Sequence, residues 1–479
     1  MIRAEQEGFS WAERVVGGRI VRKLKHDNWR PQWFLDIQLP DGSVRKVMLR
    51  GFRDPGGGAD DGDVREGLTS EAEVLRALQD LPVSVPYYYG HDAEHGWMLM
   101  ERIEGDAELS QVFDPDRRFA LFQDYMEDIA RLHAFPVDKM ALPANMARPA
   151  SSRDQWEEFK RTSIATYRSL ERTQPEPILE LGIQWLQTYH LPSERPLSFG
   201  LSDVGPNQFM FAGSEYLSLI DFELGVLADP LLAIGLMRVR ELVYSIGRMP
   251  EHVAHYGKHY EALTGIPLDH AALRYMTVAS TVLFNLPSAA TKIAPDPTLP
   301  DLVFTLSWEI PAQRGILEAM AEYHGISLSV PDLPSEKTTI LKPLHDLITG
   351  QIEQFYAPRS RDQGEKSFAR YSAALVKTLA RGNAVAGRID QDNMKELSAL
   401  IGNKVDDWYE GLYELERLIV QDSEHDFEAR LNFLYRVQVR REYLYEPMQC
   451  ATGCSVGVPL VRLESLEGVV PSAIPLRTL

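Results

Sequence analysis

The amino-acid sequence predicts an α+β protein with two lobes, a small antiparallel sheet followed by a mostly helical lobe, and an extra helical region at the C-terminus. Three observations lead to this class. Roughly the first hundred residues contain short apolar strands separated by turns. Helical periodicity dominates from about residue 117 to residue 330, except between residues 196 and 230. At 479 residues the chain is also too long for one ordinary hydrophobic core.

The first lobe, residues 1–104, is predicted from alternating apolar residues and turn signals. Its strands are expected at residues 19–24, 33–39, 44–50, 87–89 and 97–102. A Gly- and Asp-rich stretch at residues 54–63 predicts a loop. A helix is then expected to begin at Thr69 or Ser70 and to end before Pro82.

The remaining domains follow from changes in periodicity. Residues 105–328 are predicted to form the helical lobe, residues 329–344 a Pro-containing linker, and residues 345–479 an accessory helical domain. The accessory region contains long amphipathic helices, which must cover their apolar faces. Packing on the main body and packing on a second copy both satisfy this requirement, so a homodimer through this region is one of two alternatives.

Composition excludes several classes of function. A formal net charge of −19 disfavours binding to nucleic acid or to anionic lipid surfaces. The two cysteines, Cys450 and Cys454, cannot complete a tetrahedral zinc site by themselves. No apolar run reaches signal-peptide or membrane-spanning length. We therefore expect a cytoplasmic protein that works in a reducing compartment.

The segment from residue 196 to residue 238 breaks the helical pattern and concentrates the chemistry. Two short strands, 208–211 and 216–220, are predicted to form an antiparallel hairpin, with Asp203 before the first strand and Asp221 after the second. Pairing would bring both carboxylates to one edge, with Gln208 nearby. Magnesium prefers such oxygen ligands together with nucleotide phosphates. A carboxylate at this edge is also suited to orient an acceptor hydroxyl and take its proton.

This segment resembles the aminoglycoside phosphotransferase and choline kinase family, whose fold is protein-kinase-like. The matching residues are Leu201-Ser202-Asp203, Val204-Gly205-Pro206, Asn207-Gln208, Ile220-Asp221-Phe222-Glu223 and Asp229-Pro230. The resemblance implies that Asp203 is the catalytic base and that Asp221 is a magnesium ligand. It also implies that Gln208 or the adjacent Asn207 supplies an amide oxygen to a metal ion.

The resemblance extends to the nucleotide side of the predicted site. It implies that Arg50 contacts phosphate and pairs with Glu71 of the following helix, with Lys46 as a second cation on the same strand face. The interlobe strand is expected to meet the adenine ring through its backbone. The residues concerned are Met100, Glu101 and Ile103.

Together these residues predict a Mg-dependent phosphotransferase that moves the γ-phosphate of ATP, or of GTP, to a hydroxyl group of a small molecule. The alternative is a catalytically silent, kinase-like binding or scaffold protein. That alternative is favoured by Leu201 where the family has His, by Gln208 where it has Asn, and by the lack of glycines between residues 24 and 34. The sequence leaves the acceptor unidentified.

Overall fold

The computed structural model contains two compact units. It describes residues 2–25, 31–51, 61–109, 112–244, 257, 260–293, 301–360, 363–422 and 424–463. The first unit comprises Met1–Ser152, Pro196–Pro230 and Tyr256–Pro267. The second unit comprises Arg153–Arg195, Leu231–His255 and Leu268–Leu479. The sheet and the hairpin with the two aspartates therefore belong to one unit.

The first unit is built around a five-stranded antiparallel sheet with the strand order β1-β2-β3-β5-β4. Its strands are β1 (Arg19–Lys25), β2 (Gln32–Gln38), β3 (Val44–Gly51), β4 (Tyr88–Asp92) and β5 (Trp97–Glu101). Leu35, Ile37, Val47 and Leu49 alternate along β2 and β3 and are fully buried on one face. This face is the core of the sheet, and the predicted strands are confirmed within a few residues at their ends.

Two helices of the first unit differ from the prediction. Helix α1 (Ile2–Val16) was not expected; its Phe9 and Ala12 pack against the sheet core. Helix α2 (Asp61–Leu78) begins eight residues before Thr69. Acidic residues are favourable in a first helical turn, so the Asp-rich stretch can start a helix as well as form a loop. The earlier part of that stretch, residues 54–60, lies outside the described residues.

The rest of the first unit supports the predicted hairpin. Helix α3 (Pro115–Ala134) begins at the N-cap Asp114, whose carboxylate accepts a hydrogen bond from the backbone N–H of Asp116 at 3.0 Å. Strands β7 (Phe209–Ala212) and β8 (Glu215–Leu219) form the hairpin. A further pair, β6 (Ser198–Leu201) and β9 (Gly225–Ala228), flanks it. Strand β9 was not predicted, because four residues carry too little periodicity.

The second unit is helical in its described part. Its helices are α4 (Ser152–Ser169, with Ser152 in the first unit), α5 (Pro177–Thr188), α6 (Leu231–Tyr244), α7 (His270–Asn285), α8 (Ser288–Ile293), α9 (Asp301–His324), α10 (Lys342–Gln351), α11 (Gln363–Ile401), α12 (Trp408–Gln421) and α13 (Phe427–Thr452). Residues 326–340 form no helix or strand. The α+β class with C-terminal helices is therefore confirmed, whereas the domain boundaries at 104, 328 and 344 stay predictions. No helix in the described ranges is long and apolar enough to cross a bilayer.

Candidate active site

The β7–β8 hairpin brings the two predicted aspartates to the same end. Its register pairs Phe209 with Leu219, so the open end of the hairpin lies between Gln208 and Ile220. The backbone N–H of Ile220 donates to the carbonyl of Gln208 at 3.2 Å. The side-chain amide of Gln208 donates to Oδ2 of Asp203 at 2.7 Å. Gln208 therefore forms hydrogen bonds both to Asp203 and to Ile220, the residue before Asp221.

Both turns of this site contain left-handed backbone conformations. Asn207 has φ of 72° and Asp221 has φ of 66°. Asn and Asp enter this region more readily than other residues with a side chain, because their short polar side chains can form local hydrogen bonds. Such conformations are nevertheless uncommon, and they are frequent at functional sites. The backbone of Asp221 therefore sets the direction of its side chain at the end of β8.

Arg50 at the end of β3 connects the sheet to Asp221. Its Nη2 donates to Oδ1 of Asp221 at 3.0 Å, and its Nη1 lies 3.3 Å from Oε1 of Glu71 on α2. Arg50 is 8% exposed and Glu71 1%. Burial alone would lower the pKa of Arg50, but Glu71 and Asp221 outweigh it and the pKa is raised. The predicted Arg50–Glu71 pair is present, and it includes Asp221.

Glu223 is a further carboxylate of this cluster that was not predicted as a site residue. Its Oε2 lies 4.0 Å from Nη2 of Arg50, and its side chain is 37% exposed. Glu223 follows Asp221 by two residues and is part of the Ile-Asp-Phe-Glu motif. That short spacing was a usable signal, since it places a second carboxylate beside Asp221 in the chain.

The structure does not bring Lys46 into this cluster. Its Nζ lies 2.5 Å from Oε2 of Glu104, and both side chains are largely exposed. Lys46 shares a strand face with Arg50, but four positions along a strand separate them by about 13 Å. The prediction that both cations serve one phosphate site is therefore not supported by the positions of their charged groups.

The end of β5 is followed by a backbone N–H group that has no acceptor among the described residues. Met100 is buried in β5 opposite Met48, and the exposed Glu101 accepts a hydrogen bond from the backbone N–H of Tyr87 at 3.1 Å. Ile103 follows the end of the strand and is half-buried. Its backbone N–H donates to no acceptor among the residues that the structure describes. A donor of this kind is available to a flat heterocyclic ligand.

Two residues that the sequence did not single out support the turn that carries Asp203. The hydroxyl of Tyr125 on α3 accepts a hydrogen bond from the backbone N–H of Gly205 at 2.9 Å, and its ring stacks on Phe209. His133 packs against Gly200 of β6. A side chain at position 200 would place its Cβ only 2.9 Å from Nε2 of His133. Burial lowers the pKa of His133 to about 3, so the ring stays neutral, and its Nδ1 lies 2.8 Å from the hydroxyl of Tyr260.

A two-way backbone bridge connects the hairpin to the chain that follows β5. Asp106 donates to the carbonyl of Phe211 at 2.8 Å, and Phe211 donates to the carbonyl of Asp106 at 2.9 Å. The chain can approach this closely because residue 105 is glycine. A Cβ at Gly105 would lie 2.5 Å from the Phe211 carbonyl oxygen. The bridge therefore depends on the absence of a side chain.

Gly105→Ala is expected to destabilise the protein by roughly 1–3 kcal/mol, because the added methyl group overpacks against backbone and opens the bridge. A lower urea midpoint with an unchanged m-value would show this. Gly67→Ala is the matched control. Gly67 lies in α2 with nothing near its Cβ position, so alanine there should stabilise by roughly 0.5–1 kcal/mol. Equal midpoints for Gly105→Ala and the wild type would contradict the assignment of the bridge.

The residues are compatible with magnesium, although they do not form a complete metal cage. Within the described ranges, no group of three His, Cys, Asp or Glu side chains is arranged to hold a metal ion. Magnesium commonly takes only one or two carboxylates from the protein, together with phosphate oxygens and water. Asp221 and the amide oxygens of Asn207 and Gln208 are hard donors of the required type. This donor set fits magnesium bound with a nucleotide.

Comparisons with known proteins find one family model and several solved structures that this chain resembles. The family model described as "Phosphotransferase enzyme family" matches residues 23–266. A protein from Ralstonia eutropha JMP134 assigned to the aminoglycoside phosphotransferases is 17% identical, over 66% of this chain and 98% of that one, with a TM-score of 0.49. A macrolide 2′-phosphotransferase type I is 16% identical, over 65% and 96%, with a TM-score of 0.47. No curated protein matches the sequence.

The family match covers about half of the chain and contains Arg50, Glu71, Asp203 and Asp221. The C-terminal helices lie outside it. This chain therefore belongs to the phosphotransferase enzyme family and is a small-molecule kinase.

Proposed function

We propose that this chain transfers the γ-phosphoryl group of ATP or GTP to a hydroxyl group of a small molecule, with Asp203 as the base. The observation that carries the proposal is the contact between Arg50, Glu71 and Asp221, made at the same end of the hairpin at which Asp203 is bound by Gln208. Phosphoryl transfer requires a positioned nucleophile and compensation of phosphate charge, and the two aspartates are suited to these separate tasks.

The charges around Arg50 support a metal-dependent reaction. Three carboxylates, those of Glu71, Asp221 and Glu223, lie within 4.0 Å of one guanidinium. A nucleotide polyphosphate would add further negative charge at these carboxylates, which divalent cations bound with it would offset. Asp221, with the amide oxygens of Gln208 or Asn207, would hold magnesium, which offsets charge on the phosphates when bound.

The position of Asp203 supports its role towards the acceptor. Its carboxylate is half-buried and is oriented by the amide of Gln208, while Tyr125 fixes the backbone at Gly205. An acceptor hydroxyl that donates to Asp203 would lose its proton to this carboxylate as the oxygen attacks phosphorus. Gln208 thus has two roles in the proposal, since its N–H group orients Asp203 while its oxygen remains for the metal.

The end of β5 supports the binding of a nucleobase. The backbone N–H of Ile103 is available as a donor, and Met100 contributes a buried apolar side chain on the preceding strand. An adenine or guanine ring offers an acceptor nitrogen or oxygen to such a donor. We therefore propose Glu101 and Ile103 as backbone contacts of the base.

Nucleotide-dependent thermal shifts test this function. With magnesium and saturating ATP or GTP, Tm is expected to rise on the order of 5 °C, because ligand binding at about 100 times Kd adds roughly 2.7 kcal/mol to the unfolding free energy. The shift should be much smaller in EDTA and in Asp221→Asn. Asp203→Asn is the matched control, since it should keep the shift. A wild-type protein that shows no magnesium-dependent shift with either nucleotide would support the catalytically silent alternative instead.

A further inference from the structure

The C-terminal helices expose an unusual amount of apolar surface in one place. Ten large hydrophobic side chains between residues 340 and 379 are 39% to 93% exposed. We call them the 340–379 face; they are Ile340, Leu341, Leu344, Leu347, Ile348, Phe355, Tyr356, Phe368, Leu375 and Leu379. Scattered single hydrophobic residues are normal on a protein surface, whereas a concentration of this kind marks an interaction site.

These side chains form continuous stripes rather than isolated positions. On α10, Leu344, Leu347 and Ile348 follow the i, i+3, i+4 spacing of one helix face. The α10 helix runs antiparallel along α11, because Thr339 contacts Asn383 at 2.7 Å whereas Glu353 contacts Lys377 at 2.6 Å. On α11, Phe368, Leu375 and Leu379 follow the i, i+7, i+11 spacing of one helix face.

The segment that carries most of the face is poorly covered by its own chain. None of the residues in α10, in the π-helical turn Ile352–Tyr356 or in the 3-10 turn Ala357–Arg359 is buried. A helix of 10 residues is marginal in water and is normally stabilised by the burial of its apolar face. The described part of the chain supplies no such burial, so the face is suited to a partner.

We propose that the 340–379 face binds a second copy of this chain. Ten side chains of this size, each about half exposed, present on the order of 1,000 Å² of apolar surface, which is comparable to the roughly 800 Å² that each partner contributes to a standard interface. A net charge of −19 opposes the two other common partners of an apolar helical face with this length, anionic membranes and nucleic acids.

The charged pair of α10 lies away from its apolar stripe. Lys342 and Asp346 contact each other at 2.7 Å within one chain. Each is two positions from Leu344, which is about 200° around the helix, so the pair lies on the opposite side from the stripe. A two-fold contact in which this patch meets its own copy can therefore bury Leu344, Leu347 and Ile348 without burying either charge.

Sedimentation velocity of the full chain tests the proposal. The wild type is expected at twice the 54.2 kDa chain mass at micromolar concentration. The variant Leu344→Glu/Leu347→Glu is expected to sediment as a monomer, with a dimer dissociation constant raised at least about 100-fold, since charges replace side chains in the centre of the face. Val330→Glu is the matched control, because Val330 is 72% exposed outside the face and should leave the dimer intact.

A charge reversal on the other side of α10 is a further control. Lys342→Glu should leave the dimer intact, because Lys342 lies about 200° around the helix from Leu344. Circular dichroism and the nucleotide-dependent thermal shift should stay unchanged in all variants. A monomeric wild type at 50 µM, or a dimer that survives the double Glu variant, would overturn the proposal. So would a wild type that floats with neutral vesicles, or one that dimerises only after removal of residues 464–479.

Discussion

Asp203→Asn is expected to lower the turnover number for phosphoryl transfer by about 10²–10⁴-fold, which is the usual contribution of a positioned general base. Asparagine keeps the size of the side chain but cannot take a proton. The Michaelis constant for the nucleotide should change little, because the proposed nucleotide contacts are made by Arg50, Asp221 and Ile103. The loss should therefore appear in turnover rather than in nucleotide binding.

The measurement uses the phosphorylated products formed from a panel of small alcohols and amino alcohols, quantified by mass spectrometry. Asp41→Asn is the control. Asp41 lies in the β2–β3 turn, where its carboxylate accepts a hydrogen bond from the backbone N–H of Ser43, and Asn-Gly suits such a turn equally well. Turnover by Asp203→Asn that stays within threefold of the wild type would remove this residue from the proposed mechanism.

The parts of the site that could be predicted from the sequence are local. Asp203, Gln208 and Asp221 lie within 19 consecutive residues, and the hairpin between them brings them together through backbone pairing alone. The Arg50–Glu71 pair was predicted from the family resemblance, which implies a cation at the end of a strand and a glutamate on the helix that follows.

The residues that sequence reasoning missed act through long-range packing. Tyr125 contacts Gly205 across 80 positions, and His133 contacts Tyr260 across 127. On a helix such residues cannot be distinguished from ordinary core residues, because periodicity reports which face is buried but not what it touches. Helix α1 was missed for a similar reason, as its stability comes from Phe9 and Ala12 packing on a sheet formed later in the chain.

The charges of Arg50 and Glu71 were predicted, but the connection of this pair to Asp221 was not. Arg50 contributes two nitrogens to two carboxylates that approach from different elements. This geometry requires a planar fork with several donors, which lysine cannot provide. An arginine at position 50 therefore sets the position of the Asp221 carboxylate as well as pairing with Glu71.

Arg50→Met is expected to destabilise the fold by roughly 3–5 kcal/mol, because it removes one partner of a buried ion pair with Glu71. The double variant Arg50→Met/Glu71→Met should recover most of this loss, since no uncompensated buried charge remains. Both variants should nevertheless lose magnesium-dependent nucleotide binding, because Asp221 is no longer held by the guanidinium. The double variant is thus expected to regain most of its stability but not its magnesium-dependent nucleotide binding.

Urea unfolding and nucleotide thermal shifts measure the two effects independently. Lys46→Met is the control, because its exposed pair with Glu104 should give no measurable change in either assay. Arg50→Lys is expected to lie between the wild type and Arg50→Met, since an ammonium can satisfy Glu71 or Asp221 but not both in the same geometry. An Arg50→Met variant with the urea midpoint of the wild type would contradict this prediction. It would show that the buried charge of Glu71 does not depend on Arg50.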